Sequence, residues 1–267
     1  MNQAERRLML IHALLREQSL RTDVPKDAPA QRRLLRALMN VRPAQEAGAD
    51  VLCVQDDYLR EETRQKGITD LSALRPVSPK DPDLYLWRGD ITTLRCDAIV
   101  NAANSALLGC FCPNHGCIDN AIHTYAGIQL RLACAQIMAQ QGHEEPPGQV
   151  KVTPGFNLPC RYVFHTVGPI VCGAPTATDC ALLASCYRAC LQEADRLKLG
   201  SLAFCCISTG EFRFPPDQAA RIALKTVRAY RAQTSSNIKV IFNVFKESDE
   251  TLYRALLGAA CPAPGRV

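Results

Sequence analysis

The stretch DAIVNAAN, residues 97–104, runs from apolar residues into two asparagines. A short apolar run bounded by polar residues is typical of a strand that is buried on both faces. Asparagine is disfavoured inside strands, so we predict that the strand ends here and passes the two amides into a loop. For Asn101 a loop-stabilising and a ligand-binding role are equally open, whereas the position of Asn104 favours contact with a ligand.

Apolar runs of the same kind recur along the chain and alternate with segments of helical periodicity. The runs cover residues 84–90, 161–168, 201–209 and 238–245, and the helical segments lie around 118–140, 178–199, 216–233 and 247–258. Apolar strands separated by helices indicate a largely parallel sheet with helices on both faces. We therefore expect an α/β fold, a three-layer α/β/α sandwich that binds ligands at the carboxyl ends of its strands.

The first part of the chain shows helical periodicity without predicted strands. Apolar residues recur every three or four residues in the segments 8–15, 34–41 and 51–59. The segment SPKDPD, with two prolines and alternating charges, favours an exposed turn and marks a boundary. The predicted parts are a helical N-terminal extension at 1–80, the α/β domain at 81–260 and a flexible tail at 261–267. We interpret the extension as a helical cap on the sandwich, with a separate partner-binding domain as the alternative.

Composition places the chain among globular proteins. Of its 267 residues, 47% are hydrophobic and 21% are charged, and no run of 18 apolar residues occurs, so no membrane partner is expected. The first twenty residues resemble a secretory signal only superficially, because Arg16 and Glu17 interrupt the apolar run and no small-residue cleavage site follows. We therefore expect a cytoplasmic protein.

The cysteines and the net charge narrow the function further. Most of the 14 cysteines are interpreted as reduced, buried apolar residues. Those in apolar runs include Cys134, Cys186, Cys190, Cys205 and Cys206. The net charge of +5 is spread thinly, so it indicates a polyanion such as RNA only weakly and fits a small anionic ligand equally well. Nucleic acid is therefore not expected as a partner. An RNA-binding or scaffold role of the helical extension is the alternative, and steep salt dependence of RNA binding would support it.

Two further apolar runs end in polar sequences, and the carboxyl ends of parallel strands meet at one edge of a sheet. Asp90 ends the run at 84–90. It can cap a short helix that begins at Ile91 or accept a hydrogen bond from the amino group of a base. The sequence STGEF, residues 208–212, joins the run that begins at residue 201 to a helix that Pro216 can begin. A turn of small residues before a helix directs backbone N–H groups outward and suits a diphosphate.

The loop GCFCPNHGCIDN, residues 109–120, has the spacing of a metal site. Cys110, His115 and Cys117 lie five and two residues apart, with glycines and a proline that allow the chain to curl around one ion. Zinc binds thiolate and imidazole together and is usually tetrahedral, so three protein ligands leave one position open, as in catalytic sites. Cys112 would close the site as a fourth ligand, but the proline after it hinders both sulfurs of the Cys-x-Cys pair from reaching one ion. A chance cluster and a disulfide are weaker alternatives.

Four motifs, in this order, resemble the macrodomain family of ADP-ribose-binding α/β/α modules. They are Asp90-Ile91, NAAN at 101–104, HTVGP at 165–169 and STGEFRFP at 208–215. The similarity spans roughly residues 84–260. Most macrodomains have a glycine-rich loop after NAAN, and here the cysteine-containing loop takes its place. That loop resembles the zinc-dependent subclass, whose members remove ADP-ribose from proteins and often carry a helical N-terminal extension.

The resemblance implies a zinc-dependent hydrolase that removes mono-ADP-ribose from modified protein side chains, with an ester to Asp or Glu as the expected linkage. An ADP-ribosylated protein is then the substrate and ADP-ribose the product, and a non-catalytic ADP-ribose-binding module is the alternative. One Zn²⁺ per chain is expected on Cys110, His115 and Cys117. Asn104 and Asp119 are the implied catalytic residues, although Asp119 is also typical of a charge favoured at a helix N-terminus. The implied ADP-ribose-binding residues are Asp90, Ile91, Asn104, Cys117, Ile118, Asp119, Ser208, Thr209, Gly210, Glu211 and Phe212.

The remaining histidines are interpreted as structural. His165 lies in an apolar run and is expected to be a core histidine with satisfied hydrogen bonds. His123 follows the metal loop and is expected to be packed or to cap a helix, while His12 and His143 are expected at the surface.

Overall fold

The computed structural model describes residues 1–79 and 81–258. The strands are β1 (Thr69–Asp70), β2 (Pro76–Ser78), β3 (Asp81–Arg88), β4 (Leu94–Arg95), β5 (Ala98–Ala103), β6 (Val150–Pro154), β7 (Tyr162–Val167), β8 (Ser201–Phe204) and β9 (Lys239–Val244). The helices are α1 (Gln3–Glu17), α2 (Ala28–Val41), α3 (Ala49–Lys66), α4 (Ile118–Ala126), α5 (Ile128–Gln141), α6 (Ala177–Arg196), α7 (Pro216–Thr234) and α8 (Glu247–Leu257). Within these residues, every helix is too short or too polar to cross a bilayer.

A seven-stranded sheet forms the centre of the molecule, in the order β2-β3-β9-β8-β5-β7-β6. The five inner strands are parallel, and β2 and β6 pair antiparallel at the two edges. Every residue of β8 is buried, and since successive side chains of a strand point to opposite faces, both faces of the sheet are covered. The prediction of a three-layer α/β/α sandwich with a mostly parallel sheet is confirmed.

The structure corrects two predicted elements. The strand predicted at 201–209 ends at Phe204, because the chain leaves the sheet and turns through Ser208, whose φ is 64°. The helical segment predicted at 118–140 consists of two helices, α4 and α5, which meet at Gly127. Gly127 has a φ of +100°, and a Cβ atom there would lie 2.6 Å from the side-chain oxygen of Gln129. The chain can therefore turn sharply here only because the residue is glycine.

The two edge strands were not predicted from the sequence. β6 has one neighbouring strand, and three of its five residues are only half-buried, so it lacks the continuous apolar run that marks the inner strands. β2 has three residues, which is too short for a hydrophobic period to be recognised.

The main apolar core lies between the sheet and its helices and contains several cysteines. Cys134, Cys186, Cys190 and Cys205 are buried there, and Cys206 packs against them half-buried. Each cysteine of the described residues is a free thiol. The interpretation of these five as small apolar residues of the core is confirmed.

The helices α1 to α3 form a bundle with an apolar cluster of its own. A capping box at Asn2 begins α1, and the side chain of Asp27 caps α2. The cluster contains Leu10, Ile11, Leu14, Leu15, Leu35, Leu38, Met39, Tyr58 and Leu59, and Ile128 of α5 completes it. The bundle therefore packs directly against the sandwich, as the helical-cap interpretation requires.

The predicted boundary between the helical extension and the α/β domain, at residue 80, separates β2 from the rest of the central sheet. This strand precedes residue 80, yet it pairs with β3 in the main sheet. The division into 1–80 and 81–260 stays a prediction, and the predicted tail at 261–267 lies outside the described residues.

Candidate active site

A cleft of about 1050 Å³ opens at the carboxyl ends of β3, β5, β8 and β9. All the site residues predicted from the sequence line it. They are Asp90, Ile91, Asn104, Cys110, His115, Cys117, Ile118, Asp119, Ser208, Thr209, Gly210, Glu211 and Phe212. The three polar sequences therefore meet at one edge of the sheet, as parallel pairing of their strands requires.

The three predicted metal ligands converge at one side of this cleft. The ligand atoms of Cys110, His115 and Cys117 all lie within 4.8 Å of one another. Cys110 Sγ and His115 Nδ1 are 3.6 Å apart. Tetrahedral zinc with its usual bond lengths places a sulfur and a nitrogen ligand about 3.6 Å apart. The donor set and its spacing fit zinc, while Cys112 is exposed and lies outside the cluster.

The protein holds these ligands in a partly buried setting. Burial raises the pKa of the Cys117 thiol to about 12. A zinc ion deprotonates a thiol that coordinates it, so a metal held here would displace the proton of this thiol. The other ring nitrogen of His115, Nε2, lies 3.5 Å from Glu211 Oε1. Glu211 is largely exposed, and the sequence did not indicate this contact.

Asp119 lies in the first turn of α4 and is buried. Asn101 of β5 donates a hydrogen bond of 2.7 Å from Nδ2 to Asp119 Oδ1. Burial raises the pKa of Asp119 to about 6, and the bond from Asn101 opposes that rise. The prediction that both asparagines lie in a loop is wrong for Asn101, because β5 continues to Ala103 and Asn101 pairs with His165 of β7. Asn101 is fully buried, so of the two roles left open by the sequence the structure supports the structural one.

Asn104 lies at the cleft but is engaged within its own loop. Its Nδ2 donates to the carbonyl of Gly109 at 3.2 Å, and its Oδ1 accepts from the N–H of Ala106 at 3.1 Å. An amide has one more donor and one more acceptor position, so these bonds leave capacity for a ligand. The catalytic role of Asn104 stays a prediction.

Asp90 has the capping role that the sequence left open, and its role in binding a base stays a prediction. It caps the short 3₁₀ helix at Ile91–Thr93, since Oδ1 accepts from the backbone N–H of Thr92. Its Oδ2 lies 2.8 Å from the ammonium of Lys66, the last residue of α3. Burial alone would raise the pKa of Asp90, but the bonds from Lys66 and Thr92 outweigh it and lower that pKa. Lys66 comes from the helical extension, and no sequence signal connected it with Asp90.

The loop at 208–212 is positioned by a close approach to β7. A Cβ atom on Gly168, just after β7, would lie 2.0 Å from Ser208 Oγ, so only glycine allows the loop to pack there. The N–H of Phe214 donates to the carbonyl of Ser208 at 2.9 Å and closes the turn before α7. Backbone of this loop therefore lines the cleft at the predicted diphosphate site.

The remaining histidines lie where the sequence predicted. The ring nitrogens of His165 pair with Asn101 Nδ2 at 3.2 Å and with Thr153 Oγ1 at 2.8 Å, so His165 is a satisfied core histidine. His123 is buried and packed under Gly109, and His12 and His143 are exposed. Burial lowers the pKa of both buried histidines, so their rings are neutral.

Comparison with known proteins agrees with this geometry. Residues 100–223 match a family model described as the Macro domain. A macrodomain of Oceanobacillus iheyensis, solved with ADP, is 39% identical, covers 66% of this chain and 90% of its own, and superposes with a TM-score of 0.60. The chain belongs to the macrodomain family.

Two other relatives extend the similarity of this macrodomain to the helical extension. A protein-ADP-ribose hydrolase of Treponema medium is 55% identical over 260 residues, which are 96% of this macrodomain and 100% of the relative. A macrodomain of Trypanosoma brucei in complex with ADP-ribose is 29% identical, with a TM-score of 0.66 over 88% of this chain and 98% of its own.

Proposed function

We propose that this macrodomain is a protein-ADP-ribose hydrolase whose active site holds one zinc ion on Cys110, His115 and Cys117. The activity is the one named for the Treponema medium relative, which the chain matches over nearly its whole length. The observation that carries the metal proposal is the convergence of two sulfurs and an imidazole, within 4.8 Å, in the cleft that the strand-end residues line. The donor set leaves one position of a tetrahedral ion open to a ligand.

In this proposal ADP-ribose lies along the carboxyl edge of the sheet. Asp90 accepts a hydrogen bond from the amino group of adenine, with Ile91 beside the base. Lys66 orients that carboxylate through the 2.8 Å contact to Oδ2. Backbone N–H groups of residues 208–212 bind the diphosphate, as turns before helices do. Phe212 covers the proximal ribose at the rim of the cleft.

The distal ribose lies next to the metal loop. Asn104 and Asp119 orient its hydroxyl groups, and Asn101 holds the Asp119 carboxyl in place through the 2.7 Å bond to Oδ1. Zinc, when bound, supplies Lewis-acid polarisation of a substrate oxygen. Two thiolate ligands reduce the positive charge of the ion, which favours polarisation and positioning of the substrate over activation of water.

The substrates are an ADP-ribosylated protein and water, and the products are ADP-ribose, which gains the hydroxyl group, and the restored side chain. We assign the linkage to an ester of Asp or Glu, because a carboxylate leaves without needing a proton at neutral pH. The reduced thiols of the metal site are maintained in the cytoplasm, where we place the protein.

The test compares the wild type, Cys117→Ala and Cys112→Ala, each with measured metal content. It measures their rates of hydrolysis of substrates modified at acidic, serine or arginine side chains. Cys117→Ala is expected to lose zinc and to lower hydrolysis by more than about 100-fold, since even outer-shell changes cost about 10–100-fold. Cys112→Ala is the matched control, because Cys112 lies in the same loop, is exposed and is outside the cluster. It should keep both zinc and activity.

The outcomes separate the parts of the proposal. Full hydrolysis by carefully prepared zinc-free protein would contradict the metal site. Tight ADP-ribose binding without hydrolysis of any of the substrates would instead support a non-catalytic binding module. Faster turnover of the serine- or arginine-linked substrate would overturn the ester assignment.

A further inference from the structure

Two residues outside the proposed metal cluster of Cys110, His115 and Cys117 together contact all three of its members. Asn120 lies in the first turn of α4, and Arg36 lies on α2 of the helical extension. Neither was identified from the sequence as part of the site.

Asn120 is the centre of this contact. It is fully buried, and its Nδ2 donates to the carbonyl of Cys112 at 3.0 Å and to that of Cys110 at 3.5 Å. Its backbone N–H donates to Cys117 Sγ at 3.4 Å. One residue thus holds the backbone at the first ligand and the sulfur of the third ligand.

Arg36 holds the remaining ligand and fixes the orientation of Asn120. Its Nη2 donates to the carbonyl of His115 at 3.0 Å. Its Nη2 and Nε also donate to Asn120 Oδ1, at 2.7 and 3.1 Å. Because Oδ1 accepts from the guanidinium, the NH₂ group of Asn120 must face the loop carbonyls. The planar fork of arginine suits this double contact, which a lysine ammonium cannot reproduce.

A second residue of α2 supports the same loop one turn later. Asn40 is buried, and its Oδ1 accepts from the backbone N–H of Asn114 at 2.9 Å. Its Nδ2 donates to Thr124 Oγ1 on α4 at 3.0 Å. The loop is therefore held between α2 and α4 along its length.

We infer that Arg36 and Asn120 are positioning residues that preorganise the three zinc ligands, so that the helical extension is part of the metal site. The inference rests on the proposed zinc site. Ordering a loop costs backbone conformational entropy, and these bonds meet that cost during folding instead of during metal binding. Loss of such outer-shell partners typically lowers metal affinity about 10–100-fold.

The test measures Zn²⁺ affinity of the full-length protein by competition with a chromogenic chelator. Arg36→Met is expected to weaken zinc binding about 10–100-fold. Arg36→Lys keeps the charge but not the fork, and it should weaken binding similarly. Arg33→Met is the matched control, because Arg33 lies one turn earlier on α2 and is exposed. It should bind zinc like the wild type.

Hydrogen–deuterium exchange of the metal-free proteins gives a readout that does not depend on zinc or on activity. Amides of residues 109–117 should exchange faster in Arg36→Met and in Arg36→Lys than in the wild type, while the rest of the chain keeps its protection. This pattern also separates a local effect from general loss of the fold.

Each outcome is informative. Zinc affinity of Arg36→Met within twofold of the wild type, with unchanged exchange, would overturn the inference. Wild-type affinity in Arg36→Lys would show that charge and not geometry matters, and would also overturn it. A wild-type protein that binds no zinc would contradict the proposed metal site, and the exchange data would then still decide whether Arg36 orders the loop.

Discussion

Two aspartates of the cleft show how surroundings set the charge of the same side chain. Burial raises the pKa of Asp119 to about 6, with the hydrogen bond from Asn101 opposing it. Burial also acts on Asp90, but Lys66 and Thr92 lower its pKa below the ordinary value of 3.8. Asp90 is therefore ionised at neutral pH with a cation beside it, whereas Asp119 titrates close to the physiological range.

Replacement of Lys66 by methionine is expected to raise the pKa of Asp90, because the contribution of burial is then opposed by Thr92 alone. In the wild type the folded pKa of Asp90 is depressed, so its stabilisation is present above the unfolded pKa and is lost as the pH falls through the folded pKa. The stability difference between wild type and variant should thus be present at neutral pH and shrink below about pH 3.9.

The measurements are an NMR titration of the Asp90 carboxyl carbon and chemical denaturation at several pH values. Lys66→Arg retains a cation next to Asp90 and serves as the control. An unchanged Asp90 titration in Lys66→Met would show that the 2.8 Å ion pair does not set this pKa.

At the scale of elements, the start of α4 brings together residues of the proposed metal site and of the proposed ribose site. Cys117 is the N-cap of α4, and its sulfur accepts the backbone N–H of Asn120. This bond opposes the rise that burial causes in the pKa of the Cys117 thiol, but burial outweighs it. Asp119 and Asn120 follow in the first turn, so a single helix end positions a proposed metal ligand, a buried carboxyl group and the amide that donates to the loop carbonyls.

The break between α4 and α5 is predicted to be sensitive to any side chain at Gly127. A Cβ atom there would lie 2.6 Å from Gln129 Oε1 and 2.8 Å from Gln55 Nε2, at a φ of +100°. Gly127→Ala is expected to lower the free energy of unfolding by about 1–3 kcal/mol, because this backbone conformation is almost restricted to glycine. Urea denaturation measures the change.

Gly48→Ala provides the matched control for that substitution. Gly48 is the N-cap of α3 at an ordinary φ of −61°, and the nearest atom to an added Cβ is 3.6 Å away. Its cost should be smaller, about 1 kcal/mol or less, because only a helix cap is affected. Equal losses in the two variants would show that strain at Gly127 is not the cause.

At the scale of the whole molecule, the helical extension and the sandwich build one cleft. Lys66 at the end of α3 and Arg36 on α2 line it together with the strand ends. The extension also completes its apolar cluster with Ile128 of α5. The cap interpretation thus gains a second aspect, since the extension contributes polar contacts to the site as well as apolar cover.

Acid is expected to destabilise the whole fold through its buried histidines. Burial lowers the pKa of His165 from 6.5 to about 3 and lowers that of His123 as well. A histidine kept neutral in the folded state takes up a proton on unfolding, so stability falls as the pH drops below about 6.5. Each such histidine contributes a slope of about 1.4 kcal/mol per pH unit.

Chemical denaturation of metal-free protein between about pH 4 and about pH 7 measures this slope of the free energy of unfolding against pH. His165→Gln, which lacks the titrating ring, should show a shallower dependence of stability on pH than the wild type. His143→Gln is the control, because His143 is exposed and its replacement should leave the slope unchanged. Equal slopes in all three proteins would contradict the assignment to His165.

Much of this structure follows from local features of the sequence. The inner strands β5, β7, β8 and β9 are mostly apolar runs, and the helices α1 to α3 and α6 to α8 have apolar residues at helical period. Both patterns are set by burial within each segment. The three proposed metal ligands could be chosen because they lie within eight residues, at 110 to 117. Strand ends predicted to share one edge do share it, since parallel pairing leaves no other arrangement.

Only the tertiary structure decided which distant residues complete the site. Lys66 reaches Asp90 across 24 positions of the chain, and Arg36 reaches Asn120 across 84. The edge strands and the break at Gly127 were likewise settled by packing between elements. Periodicity reports how one segment is buried, but it contains no information on which segment lies opposite. Hydrogen bonds between such segments need their apolar faces to be packed together, so the sequence determined the layers and indicated the proposed ligands, and the packing determined which residues contact them.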